Sequence, residues 1–467
     1  MTRSERATLL AASLGTALLL LDVTVVFVAL PSIADDLGAS FAEIQWVIDA
    51  YTVALAATLL GAGVLADRLG RRATFIWGVA FFSACSGLCA VASSGLLLDL
   101  ARAAQGIGAA AIFASSLALL ANEFQGAARG TALGIWGAVT GIAMAVGPLV
   151  GGLIVDGMNW RWIFIVNIPI GLGLVLLALR SVPESRAERP EPIDLAGAAL
   201  FAISCLLLAL GLTRGNAVGW SSASIVASFT AGGATLIAFV LVEHRSRAPM
   251  LPLSLFRIPA FSGTAIVAFA QSVAIYPLLV FLAVYLQDGL GYGPTEAGLR
   301  LLPLTLLILV VAPFAGRLTT RFELRVPLLS GLALLGVALL LLRGLEPGDE
   351  WTALLPGLVV GGIAVGAISP SLAAAIVSVL PVERSGMSSG INNTFRQFGI
   401  AMGVAGLGAI FDARVVDGGG ALSGIVSGVN AVALVSAIVA LFAAAVAWPL
   451  MRGHWAVASS SAHESDL

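Results

Sequence analysis

The sequence predicts an all-α membrane protein with fourteen transmembrane helices. Of its 467 residues, 59% are apolar and 11% are charged, whereas about a quarter of the residues in an ordinary soluble domain are charged. The mean hydropathy is +1.01, and 53 glycines are spread along the chain. This composition excludes a water-soluble globular protein, and the apolar runs have the length of about 20 residues that a helix needs to cross a bilayer.

Fourteen apolar runs, separated by glycine, proline and charged clusters, predict these helices in order. They lie at 8–30, 46–66, 74–93, 96–121, 131–155 and 162–180, then at 194–213 and 224–243, and finally at 261–287, 297–316, 326–343, 353–375, 386–411 and 429–450. The first run follows Arg3 and Arg6 as the apolar part of a secretory signal does, but it continues to Leu30 and is interpreted as a retained span.

The distribution of arginine predicts the orientation of the helices. All 24 basic residues are arginines. If the N-terminus is cytoplasmic and successive loops alternate, 17 of them lie inside and four outside, with three in or at the ends of spans. Because cytoplasmic loops carry the excess of positive charge, we expect both termini in the cytoplasm. The all-arginine, alanine-rich usage suggests a GC-rich bacterial genome, and the expected location is the bacterial plasma (inner) membrane.

Two charged connections divide the chain, SVPESRAERPEPID after span six and EHRSRAPMLPLSLFRIPAF before span nine. The tetrapeptide GIAM occurs at 141–144 and again at 399–402, as in transporters built from repeated halves, although chance similarity between glycine-rich helices is the alternative. The predicted units are an N-terminal six-helix bundle at 1–180, two extra helices with cytoplasmic linkers at 181–257, a C-terminal six-helix bundle at 258–452, and a disordered cytoplasmic tail at 453–467.

Several classes of chemistry are disfavoured by composition. The absence of lysine excludes a Schiff base and a P-loop nucleotide site. The cysteines lie in apolar runs and the histidines in a loop or the tail, so we expect no metal site, no cofactor, no nucleic-acid binding and no enzyme activity. These residues are Cys85, Cys89, Cys205, His244, His454 and His463.

Three charged residues are predicted to lie in the outer half of the membrane, namely Asp22 in span one, Asp49 in span two and Arg102 in span four. A charge at that depth costs about 2.5 to 3.5 kcal/mol on insertion scales, so it normally faces a cavity or a partner. Our hypothesis is that Asp22 titrates while Arg102 changes its proton affinity with the direction of the cavity. Asp49 is the second candidate for proton coupling. The alternative is a static ion pair that holds the helices together.

A charged stretch, GVLADRLGRR, joins spans two and three on the predicted cytoplasmic side. The excess of basic residues in cytoplasmic loops explains the arginines of this stretch, but it does not explain the glycines and the aspartate at these spacings. Gly63 is expected to allow close helix approach, Gly70 a tight turn, and Asp67 an ion pair that holds a gate shut in one state. The predicted cytoplasmic gate motif consists of Gly63, Asp67, Arg68, Gly70, Arg71 and Arg72.

This stretch resembles the signature loop of the major facilitator superfamily. LDVTVVFVALP at 21–31, LARAAQGIGAA at 100–110, GIAMAVGPLVGGL at 141–153 and ERSGMSSGINNTFRQFGIAMG at 383–403 are similar to motifs of its fourteen-helix drug:proton antiporters, although Phe27 stands where that family usually has Asn. The resemblance implies the major facilitator fold, with two pseudo-symmetric six-helix bundles and two extra central helices. It places Arg102 and Gln105 inside the membrane, and it implies an antiporter motif formed by Gly141, Gly147, Pro148, Gly151 and Gly152.

Other polar and aromatic residues in the spans allow two interpretations. Asn392 and Arg396 share a helix face in span thirteen, where they either line the cavity or hydrogen-bond to neighbouring helices. Trp46, Tyr51 and Tyr285 lie near span ends, which favours anchoring at the membrane interface. The predicted substrate cavity comprises Asp22, Asp49, Gln105, Asn392, Asn393 and Arg396.

The resemblance implies a proton-coupled antiporter that exports small amphipathic drugs, antibiotics or toxic metabolites by alternating access. The alternative is a proton-coupled importer of a small metabolite, against which the fifth-span motif argues. A membrane enzyme would need clustered His, Asp or Glu residues at a membrane interface. A passive channel is disfavoured, because repeated halves with buried titratable groups fit alternating access better than a continuous pore. The expected partners are protons, a small amphipathic substrate and the lipid bilayer, and the expected state is a monomer.

Overall fold

The computed structural model describes residues 1–186, 194–246, 249–318, 322–379 and 385–452, and these residues contain fourteen candidate membrane spans. The first six spans are α1 Arg3–Leu37, α2 Phe41–Leu69, α3 Arg71–Ala90, α4 Gly95–Glu123, α5 Gly126–Gly157, and the consecutive helices α6 Trp162–Ile165 and α7 Asn167–Ser181. The next two are α8 Leu195–Val218 and α9 Ala223–Arg245. The last six are α10 Pro259–Val284, α11 Pro294–Leu318, α12 Arg325–Leu342, α13 Leu355–Ser378, α14 Ser385–Asp417 and α15 Leu422–Leu450.

The helices agree with the fourteen predicted apolar runs, and most extend beyond them by a few residues. A π-helical turn, Tyr285–Gly289, continues α10, and short 3-10 helices at Leu253–Arg257 and Trp351–Leu354 precede α10 and α13. The prediction of an all-α protein with fourteen membrane helices is confirmed. The predicted tail at 453–467 lies outside the described residues.

Local sequence signals set several helix ends. The Thr2 hydroxyl accepts a hydrogen bond from the backbone N–H of Glu5, while the Glu5 carboxylate accepts one from the N–H of Thr2. Ser40 and Glu43 repeat this capping box at the start of α2. Gly38 ends α1 in the left-handed conformation, with φ of +59°. The connection between the first two spans is therefore short and fixed at both ends.

The same pattern of helix contacts occurs twice along the chain. In α1–α7, α4 packs against α2 and α3, α1 packs against α5, and α7 packs against α1 and α3. In α10–α15, α13 packs against α11 and α12, α14 packs against α10, and α15 packs against α10 and α12. The protein thus contains two pseudo-symmetric six-helix bundles, and in the first of them α6 and α7 together form one span.

Two seams join the bundles. At one seam α5 packs against α11, and at the other α2 packs against α14, which is the equivalent pair under the pseudo-symmetry. The extra helices α8 and α9 pack against each other, and α8 also packs against both α2 and α14. The central pair therefore lies beside the second seam and contacts both bundles.

The end of the molecule at which α1 begins and α15 ends is the terminal face, and the other end is the opposite face. Near the opposite face, α5 and α11 approach so closely that a Cβ atom on Gly152 would lie 2.5 Å from the Pro294 carbonyl oxygen. A Cβ atom on Gly298 would lie 2.6 Å from the Pro148 carbonyl oxygen. Small residues thus allow backbone contact between the bundles at this end of the first seam.

Hydrogen bonds also connect the bundles near the opposite face. The backbone N–H of Thr295, at the start of α11, donates to Asp156 on α5 at 2.8 Å. Gln287, in the π-helical turn, donates from Nε2 to the Val28 carbonyl of α1 at 3.0 Å. Nearer the terminal face, no described atom lies within 4 Å of a Cβ position on Gly137 of α5. The described contacts of α5 with the other bundle therefore favour the opposite face.

Candidate functional site

A buried ion pair forms the centre of the candidate site. Asp22 of α1 and Arg102 of α4 are joined by a distance of 2.5 Å between Arg102 Nη1 and Asp22 Oδ2, and both side chains are 1% exposed. Gln105, one helical turn after Arg102, accepts from its Nη1 at 2.7 Å and donates from Nε2 to Asp22 Oδ1 at 3.2 Å. The three predicted residues therefore form a closed hydrogen-bonded ring.

Two further buried residues extend this ring to α3 and α7. Asn167 donates from Nδ2 to Asp22 Oδ1 at 2.8 Å and to the Ser86 hydroxyl at 2.9 Å. The Ser86 hydroxyl also accepts from Gln105 Nε2 at 3.1 Å and donates to the Phe164 carbonyl at 3.0 Å. Both carboxylate oxygens of Asp22 thus have donors, as buried charged groups require. We call Asp22, Ser86, Arg102, Gln105 and Asn167 the buried network.

The guanidinium of Arg102 makes two contacts with α2. Its Nε donates to the Val47 carbonyl at 2.9 Å, and its Cζ lies 4.2 Å from the centroid of the Tyr51 ring, within cation–π distance. Tyr51 and Tyr285 have 0% exposure. The expectation that these two tyrosines anchor the protein at the membrane interface is therefore wrong, because both are packed inside the protein and face other helices.

Asp49 does not join the buried network, although it lies only two residues after Val47. Its side chain is completely buried, and neither carboxylate oxygen accepts a hydrogen bond from a described residue. Successive positions on a helix point in different directions, so Arg102 reaches the backbone of α2 there without reaching the Asp49 side chain. Asp49 is a second buried carboxyl group, separate from the ion pair.

A second polar group lies where the C-terminal bundle meets the N-terminal bundle. Arg396 of α14 donates from Nη2 to the Tyr276 hydroxyl of α10 at 3.1 Å and from Nη1 to Asn393 Oδ1 at 3.5 Å. The Tyr276 hydroxyl lies 3.4 Å from the sulfur of Met144 on α5. We call Arg396, Tyr276 and Asn393 the Arg396 group. It reaches from one bundle to the other.

The predicted cavity residues thus fall into separate sets. Among the described residues, Arg396 makes no hydrogen bond or ion pair with Asp22 or Arg102. Asn392 is completely buried, and its Nδ2 donates at 3.0 Å to the Ser388 carbonyl of its own helix. The role of these residues in a common substrate cavity stays a prediction.

In the predicted gate motif, Asp67 forms its ion pair with a residue of its own bundle, Arg71. Arg71 donates from Nη2 to Asp67 Oδ1 at 2.9 Å and from Nη1 to Asn122 Oδ1 of α4 at 3.0 Å. These contacts tie the α2–α3 turn to the end of α4. At Gly63 the described residues make no close helix approach, because beyond the local backbone of α2 none of their atoms lies within 4 Å of its Cβ position.

The turn expected at Gly70 is present. Its φ of +118° is one that residues with a side chain rarely adopt, and a Cβ atom would lie 2.7 Å from the Glu184 carboxylate. Glu184 accepts hydrogen bonds from the backbone N–H groups of Arg72 and Ala73 at 3.0 and 3.1 Å. A carboxylate at this position caps the N-terminus of α3. The chain after α7 is therefore fastened to the gate motif.

The glycines of the antiporter motif contact helices in both bundles. A Cβ atom on Gly147 would overlap the Thr24 hydroxyl, and one on Gly151 would lie 2.9 Å from a backbone carbonyl of the same helix, α1. Gly152 faces α11, as described above. No described atom lies within 4 Å of the Cβ position on Gly141. The close packing expected of the motif is present at three of its four glycines.

Ser86 and Asn167 are members of the buried network that the sequence did not predict. Asn167 is a single amide in an otherwise apolar run, WIFIVNIPIGLGLV, and this isolated polar residue was the available signal. Ser86 carries no such signal, because a serine hydroxyl in a membrane helix usually bonds to its own backbone. Within the described ranges there is no group of three or more His, Cys, Asp or Glu placed to hold a metal ion. The buried acidic groups described at the site are the carboxyl groups of Asp22 and Asp49.

Comparison with known proteins identifies the family. A sequence profile of the Major Facilitator Superfamily matches residues 12–404 and 261–463. The chain is 36% identical over 415 residues to the Multidrug resistance protein Stp of Mycobacterium tuberculosis, which covers 88% of this chain and 77% of Stp. It is 34% identical over 412 residues to the Tetracenomycin C resistance and export protein of Streptomyces glaucescens, which covers 88% of this chain and 76% of that protein.

Solved structures share the fold. The human organic anion transporter MFSD10 matches with a TM-score of 0.65 and 16% identity, over 95% of this chain and 99% of that one. A POT family transporter matches with a TM-score of 0.68 and 14% identity, over 94% and 96% of the two chains. The matched profile, the sequence relatives and the two pseudo-symmetric bundles all agree, and the chain belongs to the Major Facilitator Superfamily.

Proposed function

We propose that the protein is a proton-coupled antiporter that exports small amphipathic drugs or antibiotics by alternating access. Two relatives that match 88% of the chain are named as a multidrug resistance protein and as an antibiotic resistance and export protein. The observation that carries the proton-coupling part of the proposal is the buried ion pair between Asp22 and Arg102.

Asp22 is the proposed proton carrier. Its oxygens accept hydrogen bonds from Arg102, Gln105 and Asn167, an arrangement suited to a charged carboxylate. Binding of a proton would replace the ion pair by a neutral acid beside an arginine, and the attraction between α1 and α4 would weaken. If the two conformations hold this proton with different affinity, proton binding shifts the equilibrium between them. Asp49 is the second candidate for this role.

Alternation would be a rocking of the bundle at 1–180 against the bundle at 258–452, with the two helices of 181–257 at the second seam. The contacts at Gly152 and Gly298 and the hydrogen bond from Thr295 to Asp156 support a conformation that is closed at the opposite face. If the terminal face is cytoplasmic, as the arginine distribution predicts, this conformation faces inward. The gate motif around Asp67 would close the terminal face in the other state.

The membrane would supply both the location and the driving force. We propose that the chain acts as a monomer in a bacterial plasma membrane, with both termini in the cytoplasm and without a cofactor. An inward proton gains about 2.3 kcal/mol per 100 mV of membrane potential, and about 1.4 kcal/mol for each unit of pH difference. If binding of a proton and binding of the substrate exclude each other, inward movement of the proton would drive outward movement of the substrate.

Transport in inverted membrane vesicles tests this proposal. A pH gradient is imposed, amphipathic compounds are added in turn, and its dissipation is followed with the native protein and with Asp22→Asn. We expect at least one compound to dissipate the gradient with the native protein and none to do so with the variant. Asp36→Asn is the matched control, because Asp36 pairs with Arg161 near the opposite face and its side chain is 46% exposed.

Three outcomes are distinguishable. Loss of exchange in Asp22→Asn with native exchange in Asp36→Asn supports coupling through Asp22. Native exchange in Asp22→Asn would contradict this assignment, and Asp49→Asn would be measured next. If the native protein dissipates the gradient with no compound in a panel of named resistance substrates, including tetracenomycin C, the proposed function fails.

A further inference from the structure

The Arg396 group contains a charge without an opposite charge beside it. Arg396 lies within the membrane helix α14 and is half-buried, and its hydrogen-bond partners are the neutral Tyr276 hydroxyl and the neutral Asn393 side chain. No carboxylate of a described residue lies within ion-pair distance of its guanidinium. An arginine at membrane depth costs about 2.5 to 3.5 kcal/mol on insertion scales, so a charge left without a counter-charge there requires an explanation.

The N-terminal bundle shows how an arginine in a membrane helix is compensated when a carboxylate lies beside it. Arg102 is also in a membrane helix, and it is 1% exposed, pairs with Asp22, donates to a backbone carbonyl and lies against the Tyr51 ring. Arg396 differs in two respects, because its side chain is partly accessible and no carboxylate compensates its positive charge. Helix packing alone does not favour such a residue.

The position of the Arg396 group is that of a ligand site. Tyr276, its hydrogen-bond partner, contacts Met144 of α5, so the group lies where side chains of both bundles meet. In transporters built from repeated halves, this central region between the halves holds the substrate. The neighbouring methionine offers a polarisable, adaptable surface to an apolar ring system.

We infer that the Arg396 group binds a negatively charged part of the exported compound. This inference rests on the proposed export function and narrows it to amphipathic organic anions, such as compounds with a carboxylate or an ionised phenol on an apolar ring system. The planar guanidinium has N–H groups beyond those given to Tyr276 and Asn393 and can bind a carboxylate in two-point fashion. The Tyr276 hydroxyl accepts from Arg396 and donates to the Met144 sulfur, a weak acceptor, and a small rotation would direct the same proton to the anion.

A pair of dyes that differ in charge at a single carboxyl group, which is free in one and methylated in the other, tests the inference. The probes are a xanthene dye with a free carboxylate and its methyl ester, and their uptake into inverted vesicles under a pH gradient is compared for each variant. The variants are Arg396→Gln, the charge-conserving Arg396→Lys, and the control Arg325→Gln, which removes an arginine that pairs with Glu323 at the start of α12. Vesicles without the protein give the background.

We expect the native protein and Arg325→Gln to transport the acid about tenfold faster than the ester, because one charge-assisted hydrogen bond corresponds to about that factor. Arg396→Gln is expected to lose this preference and to keep transport of the ester, which also demonstrates that the variant is folded. Arg396→Lys is expected to keep most of the preference.

The inference is overturned if Arg396→Gln keeps the native ratio of acid to ester transport, or if the native protein transports both dyes equally. Failure of the export proposal gives a different result. In that case the native protein transports neither dye above background, and the gradient is not dissipated by any compound of the panel described above.

Discussion

Asp22 and Arg102 neutralise each other's charge in a buried site. Removing one of the two charges is therefore expected to destabilise the protein more than removing both. We expect Arg102→Met to lower the free energy of unfolding by about 3 to 5 kcal/mol, because it leaves a buried carboxylate without its counter-charge. The double variant Asp22→Asn with Arg102→Met is expected to recover part of this loss. Thermal unfolding in detergent measures both.

The control for this cycle is the exposed pair of Arg161 with Asp36, whose side chains are 32% and 46% exposed. Because water screens such a pair, Arg161→Met is expected to cost no more than about 1 kcal/mol. Strictly additive effects of Asp22→Asn and Arg102→Met would show that the two charges do not stabilise each other, contrary to the geometry.

At the level of single residues, the sequence predicted the charged members of the buried network and missed the neutral ones. A charged residue in an apolar run is conspicuous, because placing its charge in the membrane costs free energy unless a partner or a cavity compensates it. Asp22 and Arg102 were both predicted on that basis. Ser86 and Asn167 join the network only because their helices are rotated to face α1. Rotation depends on packing between helices distant in sequence, and a single chain does not reveal it. The same limit applies to Asp49, which lies near the pair but faces elsewhere.

Helix α5 can approach α11 closely near the opposite face because Gly152 has no side chain. We expect Gly152→Val to separate the bundles near the opposite face, since its side chain would meet the Pro294 carbonyl and the Thr295 backbone. Transport is expected to fall at least tenfold, and faster backbone hydrogen exchange at the start of α11 would report the opening.

Gly157→Val is the matched control on the same helix, because no described atom lies within 4 Å of the Cβ position on Gly157. It is expected to keep native transport and native hydrogen exchange in α11. Equal effects of the two substitutions would mean that valine disturbs α5 itself rather than its contact with α11.

The two glycines of the gate motif are expected to respond differently to alanine. Gly70→Ala is expected to destabilise the protein by about 1 to 3 kcal/mol, since its φ of +118° is strained for alanine and the new methyl group would meet Glu184. Gly63→Ala lies in a helix with open space around it and is expected to stabilise this conformation by up to about 1 kcal/mol. Thermal unfolding of the two variants provides the comparison.

Transport by Gly63→Ala then tests the gate itself. If α2 approaches the other bundle at Gly63 only when the terminal face closes, this variant is more stable than the native protein and yet transports more slowly. Native transport by Gly63→Ala would contradict a role for Gly63 in closure.

For the molecule as a whole, a cross-link at the opposite face should stop the cycle. Asp156→Cys with Thr295→Cys places thiols on two residues from different bundles that are joined by a hydrogen bond of 2.8 Å from the Thr295 backbone N–H to the Asp156 carboxylate. Oxidation is expected to abolish transport and reduction to restore it, since rocking requires this contact to open. The described cysteines, Cys85, Cys89 and Cys205, are free and buried, which limits competing reactions. Full transport by the oxidised protein would exclude an opening at this position.

At this scale the sequence was most informative. Hydropathy predicted the fourteen spans, because a helix that crosses a bilayer requires an uninterrupted apolar run of about 20 residues, which is longer than other elements require. The recurrence of GIAM and the charged linkers indicated the two halves and the central pair. The conformation was beyond prediction, since the contacts at Gly152 and the empty space at Gly63 depend on the angle between rigid bundles rather than on the residues of either one.

The position of α8 makes the two seams unequal toward the lipid. Helix α8 packs against α2 and α14 beside their seam, whereas in the described part of the chain neither α8 nor α9 packs against α5 or α11. Helix α1 contacts both α5 and α11, but it belongs to the N-terminal bundle itself, so the central pair covers only the second seam. If the terminal face is cytoplasmic and the Arg396 group binds the exported compound, as we propose, a compound dissolved in the inner leaflet would reach that group by moving sideways between α5 and α11, without first returning to the cytosol. For such a cargo, partitioning into the membrane becomes the first step of recognition.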